Sequence, residues 1–134
     1  VTESLDLADR VHFWGEHQDM DIIARDFSLY VLASSFEGMS NSLLEAMVAG
    51  CPVAVSAIDV NLTLVGNNTR GWTFQVGDIQ GLAGAVTAIL NSPEQVKSRT
   101  RAARIHIERS YTERQMLKAW QAELERSVKL NFDG

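Results

Sequence analysis

The residues with the clearest chemical potential lie between Ser34 and Pro52, in the stretch SSFEGMSNSLLEAMVAGCP. Glu37 opens it, Gly38 follows directly, and Glu45 comes eight positions after Glu37, inside the apolar run Leu43, Leu44, Ala46, Met47, Val48. A short polar loop leading into an apolar helix puts unpaired backbone N–H groups and the positive end of the helix dipole together, which favours phosphate. Gly38 lets a ligand approach the backbone closely. A carboxylate is repelled by a diphosphate, so its better use is to accept hydrogen bonds from sugar hydroxyls. A loop backbone holding a diphosphate between two hydroxyl-binding Glu residues is a site for a sugar nucleotide. A plainer reading stands beside it. Ser42-Leu43-Leu44-Glu45 has capping-box spacing, so Glu45 has an alternative use at the backbone N–H of Ser42, and Glu37 has one as an ordinary exposed loop carboxylate.

The elements around this stretch must position it. Leu29–Ala33 (LYVLA) is a continuous apolar run, as expected of a strand buried on both faces. Leu43–Ala49 reads as a helix stopped by Gly50, and Pro52–Val55 as a second buried strand with Pro at its first residue. Val11–Trp14 and a span near 72–76 read as further strands, and Met20–Ala24 has helical spacing. Strands alternating with helices predict an α/β fold with a parallel, Rossmann-like sheet. A loop at the carboxyl end of such a strand is where open α/β sheets bind ligands. From residue 78 the chain reads as helix. Asp78 caps a helix to about Leu90. Ser92-Pro93-Glu94-Gln95 and Thr112-Glu113-Arg114-Gln115 both have capping-box spacing, for helices over 93–108 and 112–128. Met116, Trp120, Leu124 and Val128 form an apolar stripe read as packing against the sheet.

With 134 residues the chain is one domain, strands and short helices over 1–77 and mostly helical over 78–130. Its net charge of −5 argues against a nucleic-acid surface. The Lys and Arg residues between Lys97 and Lys129 alternate with Glu and read as a solvated helix face. Cys51 is the single cysteine, so an internal disulfide is impossible and a cytoplasmic location is expected, with the sequons at Asn61 and Asn67 inert. His12, His17 and His106 are scattered, and no metal-ligand cluster is seen.

The order strand, Ser35, Phe36, Glu37-Gly38, four residues, Leu43-Leu44-Glu45-Ala46-Met47, Val48, Ala49-Gly50, Cys51, Pro52-Val53 resembles retaining glycosyltransferases of the GT-B fold, specifically the large family-four group. Val11–Gly15, Phe27–Ser35, Gly71–Phe74 and Val76-Gly77-Asp78 are similar to further parts of that pattern, so the resemblance runs from about Leu5 to Trp120. It implies a partial C-terminal donor-binding domain of an enzyme that moves a sugar from a nucleoside diphosphate to an acceptor hydroxyl, in glycan biosynthesis. Glu37 would bond donor-sugar hydroxyls as the catalytic residue. Backbone groups of Gly38, Met39, Ser40 and Asn41 would face sugar and diphosphate, and Glu45 would bond the ribose. Gly15 and Glu16 fall where family members often contact the base. No metal or cofactor is implied.

Departures from the family pattern shape the remaining expectations. The Arg and Lys that neutralise the leaving diphosphate lie upstream in the family and have no counterpart here. The acceptor-binding N-terminal domain is also missing, so the chain alone is expected to be inactive. After Ser56 the family often has a Gly-rich turn and Pro-Glu-Leu, where this chain has Ala57-Ile58-Asp59-Val60-Asn61-Leu62-Thr63-Leu64-Val65. The partners implied are a nucleotide sugar, a glycan or other hydroxyl acceptor bound through the missing domain, and a membrane for peripheral association of the parent protein. With the first central strands of a doubly wound sheet missing, the remaining strands are expected not all to be neighbours. Exposed edges then favour self-association. Two alternatives stay open: a non-catalytic nucleotide-binding or self-associating module, and a sugar-nucleotide epimerase of the same fold.

Overall fold

The computed structural model describes residues 5–15, 20–111 and 115. Its centre is a three-stranded parallel sheet in the order β1 (Tyr30–Leu32), β2 (Val53–Ser56), β3 (Trp72–Phe74). Around it lie α1 (Met20–Ile23), α2 (Asn41–Ala49), α3 (Asp59–Val65), α4 (Ile79–Asn91) and α5 (Pro93–Ser110). Every strand-to-strand crossover carries a helix, as parallel pairing requires. Among the described residues no helix is long and apolar enough to cross a membrane.

β2 shows why the fold holds. Its four residues, VAVS, are all buried, and their period of two sends alternate side chains to opposite faces. Val53 and Val55 join Leu43, Ala46, Met47, Leu64, Val65, Ala103 and Ile107 beneath α2, α3 and α5. Ala54 joins Trp72, Phe74, Ala85 and Ile89 beneath α4. A central parallel strand with both faces covered must be apolar throughout, and this one is, apart from the hydrogen-bonded Ser56.

Several expectations are corrected. Val11–Trp14 is not a strand but an irregular segment, with Phe13 86% exposed. A strand exists only where its N–H and C=O groups find a ladder partner, and among the described residues none lies beside it. Leu29–Ala33 shrinks to three strand residues and is not buried on both faces: Val31 is 41% exposed. Val31 is in register with Ala54, on the face that α4 covers, but α4 packs mainly on β2 and β3. The three strands are also consecutive neighbours, against the expectation of a broken sheet. Each strand lies parallel beside the next one in the chain, joined to it by a helical crossover.

The helices largely follow their local signals. Asp78 caps α4 by accepting from the Gly81 N–H at 2.9 Å, and α2 ends at Gly50 with φ +82°. The Ser92 capping box does not form: Ser92 makes no side-chain cap bond, and Gln95 Oε1 accepts from Arg99 instead at 3.3 Å. Ser92 alone separates α4 from α5, at φ −131° and ψ 66°, and so must end one helix and begin the next. α3 was not anticipated. Its N-cap position is Ile58, which offers no side-chain acceptor, so the helix lacks the local start signal that marks the others. The expected helix over 112–128 and its apolar stripe lie outside the described residues, apart from Gln115, which is helical.

Candidate donor-binding site

The loop between β1 and α2 carries the predicted residues, and the first turn of α2 determines what they can do. Ser40 is the N-cap, buried, with its Oγ accepting from the Leu43 N–H at 3.4 Å. Ser40 Oγ is 3.1 Å from Ser42 Oγ, which in turn is 2.8 Å from the Tyr30 hydroxyl. This chain of hydroxyls ties the start of the helix to β1. Leu44 N–H already bonds the Ser40 carbonyl. The N–H groups of Asn41 and Ser42 have no intramolecular partner among the described residues, so they stay available at the positive end of the helix dipole.

This geometry decides the second reading of Glu45. With the helix capped by Ser40, Leu43 stands at the third helical position and Glu45 two residues beyond it. The Ser42–Glu45 capping box is therefore not built. Glu45 is half-buried and makes no hydrogen bond or ion pair among the described residues.

Glu37 is half-buried and held. Its Oε1 accepts from Ser34 Oγ at 2.7 Å. It lines a cleft of about 330 Å³ together with Ser35, Phe36, Ile58, Asp59 and Val60. The cleft thus lies between the loop leaving β1 and the start of α3, at the carboxyl ends of two parallel strands where open α/β sheets bind ligands. Gly38 is exposed, and a Cβ there would meet nothing within 4 Å, so its backbone is open to a ligand. Met39 is 48% exposed. Among the described residues no Arg or Lys lines this cleft.

Of the predicted residues, Glu37 lines the cleft. Gly38, Met39, Ser40 and Asn41 follow it along the loop to the start of α2, with Glu45 farther along that helix, and none of these five is among the cleft-lining residues. Gly15 is exposed at φ +73° on the irregular segment and is not among the residues lining the cleft; its neighbour Trp14 packs on Phe27 with ring centroids 6.5 Å apart. Glu16 lies outside the described residues. Sequence reasoning missed Asp59, a second carboxylate at the cleft, because α3 was not recognised. It also missed Ser34, Ser56 and Asn61. Ser56 Oγ donates to the Ser34 carbonyl, and Asn61 Nδ2 donates to the Ser56 carbonyl at 3.0 Å. A serine closing a wholly buried strand was the available signal.

A family model described as glycosyl transferases group 1 matches residues 1–106. The chain belongs to that family. As a group 1 glycosyltransferase chain it is 32% identical over 85 residues to the UDP-Gal:alpha-D-GlcNAc-diphosphoundecaprenol alpha-1,3-galactosyltransferase of Escherichia coli, covering 63% of this chain and 22% of that protein. Its fold is similar to Anabaena HepE, solved in complex with UDP-glucose, with a TM-score of 0.75 and 24% identity over 81% of this chain and 30% of that one. It is similar also to the C-terminal domain of a glycosyl transferase group 1 family protein from Francisella tularensis, with a TM-score of 0.71 and 16% identity over 84% of this chain and 59% of that one. The chain has the fold of the C-terminal part of a GT-B glycosyltransferase and spans about a fifth of the length of the Escherichia coli relative.

Proposed function

We propose that this chain is the nucleotide-sugar donor-binding part of a retaining glycosyltransferase that transfers a sugar from a nucleoside diphosphate to an acceptor hydroxyl. The observation that carries the reading is the loop before α2: a held carboxylate, an open glycine backbone and a helix start with two N–H groups unpaired among the described residues, in that order. In this reading Glu37 bonds donor-sugar hydroxyls. Backbone groups from Gly38 to Asn41 face the sugar and diphosphate. Glu45, uncommitted within the described residues, bonds the ribose. Gly15 and Glu16 contribute at the base. The names of two relatives that mention UDP-Gal and UDP-glucose support a uridine donor. A cytoplasmic location belongs to the proposal, supported by the lone, buried, unpaired Cys51.

The described residues hold only half of what transfer needs. A departing diphosphate requires positive charge, and the helix dipole supplies only about half an elementary charge. An acceptor hydroxyl must also be positioned and shielded from water, and the cleft described here is open. The chain alone is therefore expected to bind donor weakly and not to turn it over. Calorimetric titration with UDP-galactose, UDP-glucose, GDP-mannose and ADP-glucose tests the binding, and release of nucleoside diphosphate tests turnover. No binding of any donor overturns the reading. Sustained Glu37-dependent release with product overturns the inactivity of the chain alone.

A self-associating module is the second reading, favoured by the outer edge of β1, which is unpaired among the described residues and flanked by exposed Val31 and Phe36.

A further inference from the structure

Glu37 is the end of a hydrogen-bonded ladder that begins in the core. Asn61, on α3, is fully buried, and its Nδ2 donates to the carbonyl of Ser56 at 3.0 Å and to Ser56 Oγ at 3.4 Å. Ser56, the last residue of β2 and also fully buried, donates its own hydroxyl to the carbonyl of Ser34. Ser34, just beyond β1, donates its hydroxyl to Glu37 Oε1 at 2.7 Å. Side-chain donors on α3, at the end of β2 and just beyond β1 thus link the core to one carboxylate, by way of the Ser56 and Ser34 carbonyls.

The direction of the bonds matters. Asn61 can only donate through Nδ2, which leaves Ser56 Oγ as acceptor on that side and its hydrogen free for the Ser34 carbonyl. The Ser34 backbone is thereby fixed, and its Oγ is aimed at Glu37. A carboxylate on an exposed loop otherwise samples several rotamers, and each must be given up when a ligand is gripped. One oxygen engaged by Ser34 leaves the other to meet the cleft. Neither Ser34 nor Ser56 nor Asn61 lines that cleft.

We infer that Ser34 is a positioning residue for Glu37, and that Ser56 and Asn61 hold Ser34 in place, so that the ladder sets the grip on the sugar ring of the donor without touching it. This rests on the donor-binding reading above and adds the source of its rigidity. The prediction is selective. Loss of the ladder weakens the sugar contacts and leaves the nucleotide contacts alone, whereas a merely structural defect weakens both.

The test titrates the full chain and its Ser34→Ala, Ser34→Thr, Glu37→Ala and Ser34→Ala/Glu37→Ala variants with UDP-galactose, UDP-glucose, GDP-mannose and ADP-glucose, and with each parent nucleoside diphosphate. Thermal melting of every variant accompanies the titrations. Ser34→Ala is expected to lower affinity for the preferred sugar nucleotide by about tenfold, the scale of one hydrogen bond to a charged group, with the nucleoside diphosphate unchanged. Ser34→Thr keeps the hydroxyl and restores binding. The double variant is no worse than Glu37→Ala, because Ser34 acts only through Glu37. Equal weakening of both ligands by Ser34→Ala, or additive losses in the double variant, overturns the inference while leaving donor binding intact. Failure of the unsubstituted chain to bind any donor overturns the donor-binding reading, and this inference with it.

Discussion

Glu37 and Glu45 differ in how they are held, and that difference predicts how their variants behave. Glu37 accepts from Ser34, whereas Glu45 is uncommitted among the described residues. Glu45→Ala therefore removes no hydrogen bond seen among the described residues, and its thermal melting is expected to match that of the parent chain. Donor affinity is expected to fall by about 1.5–3 kcal/mol, the value of a hydrogen bond to a charged group. Calorimetry beside a thermal melt checks both at once, and a large loss of stability with unchanged binding would return Glu45 to a purely structural role. Cys51 gives a second prediction at this scale. Burial pushes its thiol up to about 11, against a weaker opposing effect of the backbone at Tyr30. Because the folded value lies above the unfolded one, the unfolded state loses its proton first as pH rises. The neutral thiol's contribution is complete below about pH 8.5 and is lost as pH climbs toward the folded value, by on the order of 2–3 kcal/mol. Urea unfolding at pH 7.5 and pH 10, on the chain and on Cys51→Ala, should show the larger drop in the chain that keeps the thiol.

At the scale of elements, two glycines separate backbone conformation from packing. Gly50 ends α2 at φ +82°, and a Cβ there would meet open space. Gly50→Ala is therefore expected to cost only the left-handed backbone penalty of about 1–2 kcal/mol. Gly71 enters β3 without a positive φ, but a Cβ there would lie 2.8 Å from Val53 Cγ2 and 2.9 Å from Val65 Cγ1. Both valines belong to the core cluster beneath α2, α3 and α5. Its Gly71→Ala cost is one of overpacking, about 1–3 kcal/mol. Val53→Ala in the same chain should relieve part of the Gly71 effect and none of the Gly50 effect, as read by denaturant midpoints. The Gly71 carbonyl also accepts from Arg99 of α5 at 2.8 Å, with the guanidinium 4.3 Å from the Trp72 ring centroid. The start of β3 is thus closed from both sides, which explains why glycine stands there.

For the molecule as a whole, both outer strands of the sheet, β1 and β3, have an edge unpaired among the described residues. β3 is largely buried, with α4 packed on its face, whereas the edge of β1 lies beside exposed Val31 and Phe36. An unpaired apolar strand edge is a template for another strand. The isolated chain is therefore expected to elute above its monomer mass with increasing concentration. Val31→Lys, a charge on the exposed position of that strand, should return it toward monomer without changing the secondary structure by circular dichroism. A concentration-independent monomer in the unsubstituted chain would refute the edge as a site of association.

Local signals determined much of this protein. A carboxylate and glycine before a capped apolar helix, an apolar VAVS run after Pro52, and Asp78 before a helical pattern each specify their structure through bonds within a few residues, so they were legible in the chain. Other features depend on what lies across the fold. The apolar residues of Val11–Trp14 resemble a strand, yet strand formation needs a neighbour that no local pattern can supply. Leu29–Ala33 resembles a fully buried strand, yet its exposure is set by α4 packing mainly on β2 and β3. The ladder from Asn61 through Ser56 and Ser34 to Glu37 joins positions 22 residues apart at its widest step, Ser56 to Ser34. Each of those side chains is unremarkable in sequence. Only the adjacency of β1 and β2, with α3 folded back beneath them, turns three separate polar residues into the support of one carboxylate.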